Sequence, residues 1–386
     1  MPNQTKTGFR GTHGDMVRHL YVHVPFCLRR CSYCDFAVQA VSVAPTAAWL
    51  DAIRRELTLA MAEQQWAVPM HLTTLYIGGG TPSLIGGEGM TALRSVLEAF
   101  FVIDGDVEWT AEANPETLTR DVAAEWLRAG VNRISMGAQT FDEDVLRWMG
   151  RMHGADGPAR AIRDARAAGI TNVSIDLIFG LPARFNRNWH DDLERVLELE
   201  PEHVSLYGLT AEKSTPLGRW VAEGREALAS EEQYIDEYLL AVDKLCAAGF
   251  EHYEVSNFAR QDRYSRHNFA YWESSAYLGV GPGAHSYVPP TRSWNVRDWS
   301  EYVARLSRGE SPRAGEETID AEAAALERAW LGLRTRNGLA LAELSRAQTE
   351  RIAQWQRGGL AAVHDGVARL NARGWLVLDR LATELV

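Results

Sequence analysis

Between residues 20 and 210, short apolar runs alternate with helical patterns, and that rhythm admits few architectures. The runs are 20–25 (LYVHVP), 73–77 (TTLYI), 107–111 (VEWTA), 132–136 (NRISM), 172–178 (NVSIDLI) and 203–207 (HVSLY). Helical spacing fills most of the gaps. In 46–65, Trp49, Leu50, Ile53, Leu57 and Met61 recur at helical intervals, and further helices are expected near 90–101, 119–129, 157–168 and 187–199. Gly130 and Gly169 stand where left-handed helix caps belong. Near-continuous apolar strands separated by helices imply a parallel sheet covered by helices. Six units fall short of the eight of a closed barrel. The expected fold is therefore α/β, an open, partial (β/α)6 barrel over 20–250, preceded by a tail at 1–19.

After residue 210 the rhythm changes. A helix over 230–249 precedes polar and aromatic segments, expected as a linker with loops over 251–315. A smaller, mainly helical, winged-helix-like domain is expected over 316–386, ending in a helix, a Gly turn and a short strand. Of the 386 residues, 40 are Lys or Arg and 51 are Asp or Glu, a net charge of −11. That balance argues against a nucleic-acid partner, which calls for a basic surface. The first twenty residues carry no apolar export segment, and no run reaches the roughly 18 apolar residues of a membrane span. A cytoplasmic protein without a transmembrane segment is expected.

Three of the four cysteines lie within eight residues, Cys27-x3-Cys31-x2-Cys34, directly after the first strand. A disulfide framework needs dispersed pairs. Structural zinc takes four protein ligands, often as two knuckles, and no second knuckle is present. An iron–sulfur cubane held by three thiolates remains, with one iron free for a small chelating ligand. The fourth, Cys246, sits in a helical pattern and is expected to be a small buried hydrophobe.

This spacing, with Tyr33 before the third cysteine, resembles the radical S-adenosylmethionine (SAM) superfamily. The resemblance implies a [4Fe-4S] cluster on Cys27, Cys31 and Cys34, with SAM chelating the open iron through its amino and carboxylate groups. It also implies that one electron from the cluster splits the sulfonium C–S bond to a 5′-deoxyadenosyl radical. Gly78-Gly79-Gly80-Thr81-Pro82 follows the second strand, Glu112 ends the third, Gln139 follows the fourth, and Asp176 lies within the fifth. Carboxyl ends of strands are where barrel sites are built.

The likeness extends over nearly the whole chain, through YVHVPFC, GGGTPS, EANPE, NRISMGAQTF, DLIFGLP, HVSLYGLT, YEVSNFA, HNFAYW and GPGAHSY. It narrows to the branch that contains the oxygen-independent coproporphyrinogen III oxidases and the heme chaperones of porphyrin metabolism. In that branch Tyr21, Tyr33, Gly79, Gly80, Thr81, Glu112, Gln139, Arg151 and Asp176 match SAM-binding positions. The oxidase pattern continues to a fourth cysteine where this chain has Phe36, and the oxidase carries a longer N-terminal arm. Both departures favour the chaperone side. His267, Asn268, Tyr271 and Trp272 match an HNxxYW motif that the resemblance implies binds heme, with His267 as ligand. His285 in GPGAHSY, flanked by glycines and a proline, is expected to serve a turn. The resemblance thus implies heme, acceptor hemoproteins and an electron donor as partners. The competing readings are oxidative decarboxylation of coproporphyrinogen III and a zinc-binding interaction protein.

Overall fold

The computed structural model describes residues 17–385. The expected tail over 1–19 therefore lies almost wholly outside the described residues. The six expected strands form where the apolar runs place them: β1 (His19–Val24), β2 (Thr74–Gly79), β3 (Glu108–Ala113), β4 (Arg133–Gln139), β5 (Val173–Phe179) and β6 (His203–Gly208). They pair in parallel and in sequence order. In β1 the period of two turns Leu20, Val22 and Val24 outward into a core with Trp49, Ile53 and Leu57. Those three come from α1 (Thr46–Gln64). Tyr21 and His23 consequently face the concave side. The covering helices continue with α2 (Gly86–Leu97), α3 (Arg120–Ala129), α4 (Glu143–Met149), α5 (Gly157–Ala167), α6 (Trp189–Glu198), α7 (Pro216–Ala222) and α8 (Glu231–Ala247). Thr119 caps α3 by accepting from Val122 N, and Gly130 closes it at φ +110°.

Residues 251–315 are not a linker. β7 (Glu251–Glu254) and β8 (Asn257–Ala259) add antiparallel strands beyond β6. After α9 (Arg266–Trp272), β9 (Tyr277–Val280) pairs in parallel with β1 on the opposite side. β10 (His285–Val288) and β11 (Thr291–Asn295) follow, then α10 (Trp299–Ser307) and β12 (Arg313–Thr318). The result is one open sheet of twelve strands, ordered β7-β8-β6-β5-β4-β3-β2-β1-β9-β10-β11-β12. The added strands were hidden because they are short, as in YLGV, or mix aromatic and polar residues, as in HSYV and TRSWN, or are polar throughout, as in RAGEET. A buried carboxylate pins them to α1. Glu56 accepts from Gly281 N at 2.7 Å, Asn295 Nδ2 at 2.5 Å and the Tyr302 hydroxyl at 2.5 Å.

The remaining chain forms a smaller helical unit with α11 (Ala321–Leu333), α12 (Arg346–Arg357) and a three-stranded sheet of β13 (Leu339–Ala340), β14 (Ala361–His364) and β15 (Val367–Leu370). Asp365-Gly366, both at positive φ, make the hairpin between β14 and β15. The expected closing strand is absent: residues 372–375 and 378–383 are helical. Trp375, Leu378 and Leu381 enter one core at helical spacing, which a strand would split between two faces. Cys246 is exposed on α8, not buried as expected.

Candidate functional site

The chain leaves β1 through Pro25 and makes a short parallel ladder of Phe26–Cys27 with Gln39–Ala40. That ladder closes a loop on which Cys31 and Cys34 stand. Ser32 N donates to Met149 O at 3.1 Å, and Leu217 N donates to Ser32 O at 2.9 Å, so the loop is tied to α4 and α7. Cys27, Cys31 and Cys34 are half-buried and line one cavity of about 400 Å³. Tyr33, Gly79, Gly80, Thr81, Glu112, Gln139, Arg151 and Asp176 line the same cavity. Ten of these eleven residues were separated in sequence by up to 149 positions from Cys27, and the sheet's carboxyl edge gathers them.

The glycine turn has a steric reason at each position. A Cβ on Gly78 would meet Glu112 Oε1 at 2.9 Å, and one on Gly79 would meet the His23 ring at 2.4 Å. At Gly80 it would meet Phe26 O at 2.6 Å and Cys27 Sγ at 3.0 Å. Gly79 also sits at φ +112°, where side chains are strained. Its N–H donates to Glu112 Oε2 at 2.9 Å while the Tyr76 hydroxyl donates to Oε1 at 2.9 Å. His23 lies beneath, its Nε2 2.9 Å from Ala37 O. Burial, opposed by the Gly79 hydrogen bond, pushes the Glu112 carboxyl up to about 7.

Thr81 Oγ1 donates to Cys27 Sγ at 3.5 Å. Arg151 reaches the Asn114 side chain at 2.8 Å and Gly137 O at 2.5 Å, with Nη1 3.9 Å from Cys31 Sγ. Asp176 accepts from Ser135 Oγ at 3.1 and 3.2 Å, and burial raises its pKa. Gln139 takes φ +70°, at a bulge in the β4–β5 ladder that re-aims its side chain. Burial pushes the Cys27 thiol up to about 11, and the neighbouring cysteines push the same way. Burial raises the Cys34 thiol as well, and buried thiols side by side ionise together only against a bound cation, which suits an iron cluster. Among the described residues no three His, Cys, Asp or Glu side chains converge as a single ion requires. A cubane takes one thiolate per iron and has no such requirement.

Two expected site residues lie elsewhere. Tyr21 is absent from the cysteine cavity; its hydroxyl is 3.0 Å from His23 Nδ1 and it lines a neighbouring cavity. His267 is 1% exposed, with Nδ1 2.6 Å from Thr74 Oγ1 and Nε2 2.8 Å from the Tyr271 hydroxyl. Both ring nitrogens are thus engaged, because α9 packs against β2, and neither is free for iron in this structure. Tyr271 and Trp272 of the same motif do line the neighbouring cavity. His285 is not in a turn: it opens β10, opposite Trp294. Sequence reasoning missed Asn114 and Tyr76, although Asn114 stands in the EANPE motif and Tyr76 is an inward residue of a found strand.

The family model of the Radical SAM superfamily matches residues 21–196. A protein of Mycobacterium tuberculosis named heme chaperone HemW is 38% identical over 371 residues, 95% of this chain and 94% of its own. HemW of Bacillus subtilis is 33% identical over 84% of this chain and 85% of its own, and that of Escherichia coli 36% over 70% of each. Among solved structures, coproporphyrinogen III oxidase (HemN) of Escherichia coli, described as a radical SAM enzyme, aligns with a TM-score of 0.80 over 97% of this chain and 91% of its own, at 22% identity. That last likeness bears on the fold alone, a mixed α/β radical SAM architecture with an open parallel sheet. With such relatives aligned over almost its full length, the chain belongs to the radical SAM superfamily and, within it, to the HemW family.

Proposed function

We propose that this protein binds heme and passes it to acceptor hemoproteins, while holding a [4Fe-4S] cluster on Cys27, Cys31 and Cys34 and exchangeable SAM on the fourth iron. The kinship with proteins named heme chaperones, over 95% of the chain, carries the reading. When bound, the cluster and SAM supply one-electron chemistry at the sulfonium, fed by an external electron donor. The chain's own residues shape that site. Gly79 and Gly80 let a ligand approach the backbone, and Glu112 fixes their turn. Arg151 sets a half-buried positive charge beside Cys31 to offset the charge of an anionic cluster. Tyr33, Thr81, Gln139 and Asp176 complete the SAM site, and Tyr21 supports it from behind through His23.

Phe36 supports a carrier over a decarboxylase. It stands where the oxidase pattern has its fourth cysteine, and it is 60% exposed between the two cavities. The alternative remains oxidative decarboxylation of coproporphyrinogen III, because the cysteine cavity suits both. The test is anaerobic incubation of reconstituted protein with SAM, a reductant and coproporphyrinogen III, beside a spectroscopic transfer assay from heme-loaded protein to an apo-hemoprotein. Transfer without protoporphyrinogen formation supports the proposal; protoporphyrinogen formation overturns it.

A further inference from the structure

A second, larger cavity of about 610 Å³ adjoins the cysteine cavity and shares Asp35, Phe36 and Glu212 with it. That volume lies within the ~300–1,000 Å³ typical of cofactor sites. Its floor is the concave face of β1, β9, β10 and β11. Strand alternation decides which side chains face it. In β10, His285 and Tyr287 face the cavity, while Ser286 and Val288 line a different one. Across the ladder Tyr287 opposes Arg292 in β11 and Tyr277 in β9. The end of α9 adds Tyr271 and Trp272. Aromatic walls of this kind accept a flat, largely apolar ring system.

Two arginines, Arg292 and Arg297, line the cavity among the carboxylates of Asp35, Glu212 and Glu327. Arg297, 61% exposed at its side chain, lies 3.5 Å from the Asp35 carboxylate and donates through Nη2 to Asp35 O. Arg292 lies deeper, held by Glu317 at 2.9 Å and Glu327 at 2.5 Å. His285 supplies a candidate ligand. It is exposed, its ring stacks on Trp294 at 6.0 Å, and among the described residues neither ring nitrogen has a hydrogen-bond partner. The turn before it is fixed against the cysteine loop. Gly283 takes φ +68°, and a Cβ there would meet Ala37 Cβ at 2.8 Å.

We propose that this cavity is the heme site, with His285 as an axial ligand of the iron and Arg297, aided by Arg292, facing the propionates. The step is a dative bond from an imidazole lone pair to iron, with no change of oxidation state and no covalent attachment of the ring. This rests on the heme-transfer reading and makes it local: heme would lie against Phe36, one residue layer from the cysteine cavity.

The experiment is titration of the full chain with hemin, followed by Soret absorption and electron paramagnetic resonance. The wild-type protein binds one equivalent with an imidazole-ligated signature. His285→Ala weakens binding roughly tenfold or more and loses that signature, and free imidazole restores it. Arg297→Gln weakens binding several-fold but keeps the signature. His267→Gln also keeps it. If His285→Ala retains affinity and signature, or loses them without rescue by imidazole, His285 is not the ligand and the inference fails while the carrier reading stands. If the wild-type chain takes up no stoichiometric hemin, the carrier reading itself falls, and this site with it.

Discussion

At the scale of single residues, Gly79 shows how tightly the cysteine site is built. Its φ of +112° and the His23 ring 2.4 Å from a would-be Cβ leave no room for a methyl group. Gly79→Ala should cost roughly 1–3 kcal/mol of stability and lower the iron retained after anaerobic reconstitution. Gly105→Ala, at a position with open space around it, should do neither. Thermal melts and iron analysis of both variants check this, and equal behaviour would count against the packing argument. The cysteine positions were legible in the sequence because their spacing is chemistry-bound, and the glycine and carboxylate positions through the family resemblance and their places at strand ends. The place of His267 was not, since a histidine near a helix start reads alike whether it ligates or joins Thr74 to Tyr271. Nor did the motif say that Tyr21 stands behind His23.

At the scale of elements, the six parallel strands were legible because both faces are buried and the runs are apolar. The strands of 251–318 were not. One face of β10 and β11 carries His285, Tyr287, Arg292 and Trp294, so no hydrophobic stripe marks them. Their attachment to α1 depends on Glu56, whose carboxyl is pushed by burial from 4.5 to about 7. The folded state therefore holds a proton that the unfolded chain has released between those values. The stability from this group is fully present below pH 4.5 and is lost as pH rises to about 7, a change of about 3 kcal/mol. Glu56→Gln should remove that slope. Unfolding of both proteins across pH 4.5–7.5 measures it, and a wild-type-minus-variant difference that stays flat would contradict the assignment.

At the scale of the molecule, the smaller C-terminal unit was legible as a helical addition, but its role in closing the larger cavity was not. That role depends on contacts remote in sequence. Val255 N donates to Arg334 O and Arg336 N to Tyr253 O, both at 2.9 Å, and Glu327 and Leu331 of α11 reach the cavity wall. Trp375 joins the two parts: its ring meets His252 edge-on at 4.3 Å, and its Nε1 donates to Leu333 O at 2.8 Å. Trp375→Ala should cost about 3–5 kcal/mol and split calorimetric unfolding into two transitions, the first belonging to residues after 320. Among the described residues no helix is long and apolar enough to cross a membrane. The most direct test of the whole account is the electron paramagnetic resonance of the anaerobically reconstituted, reduced chain, recorded with and without SAM. The account predicts a [4Fe-4S]⁺ signal that SAM reshapes and that Cys27→Ala, Cys31→Ala or Cys34→Ala each abolish. A chain that binds zinc in place of iron, or a cluster signal that survives loss of any one of these cysteines, would contradict it.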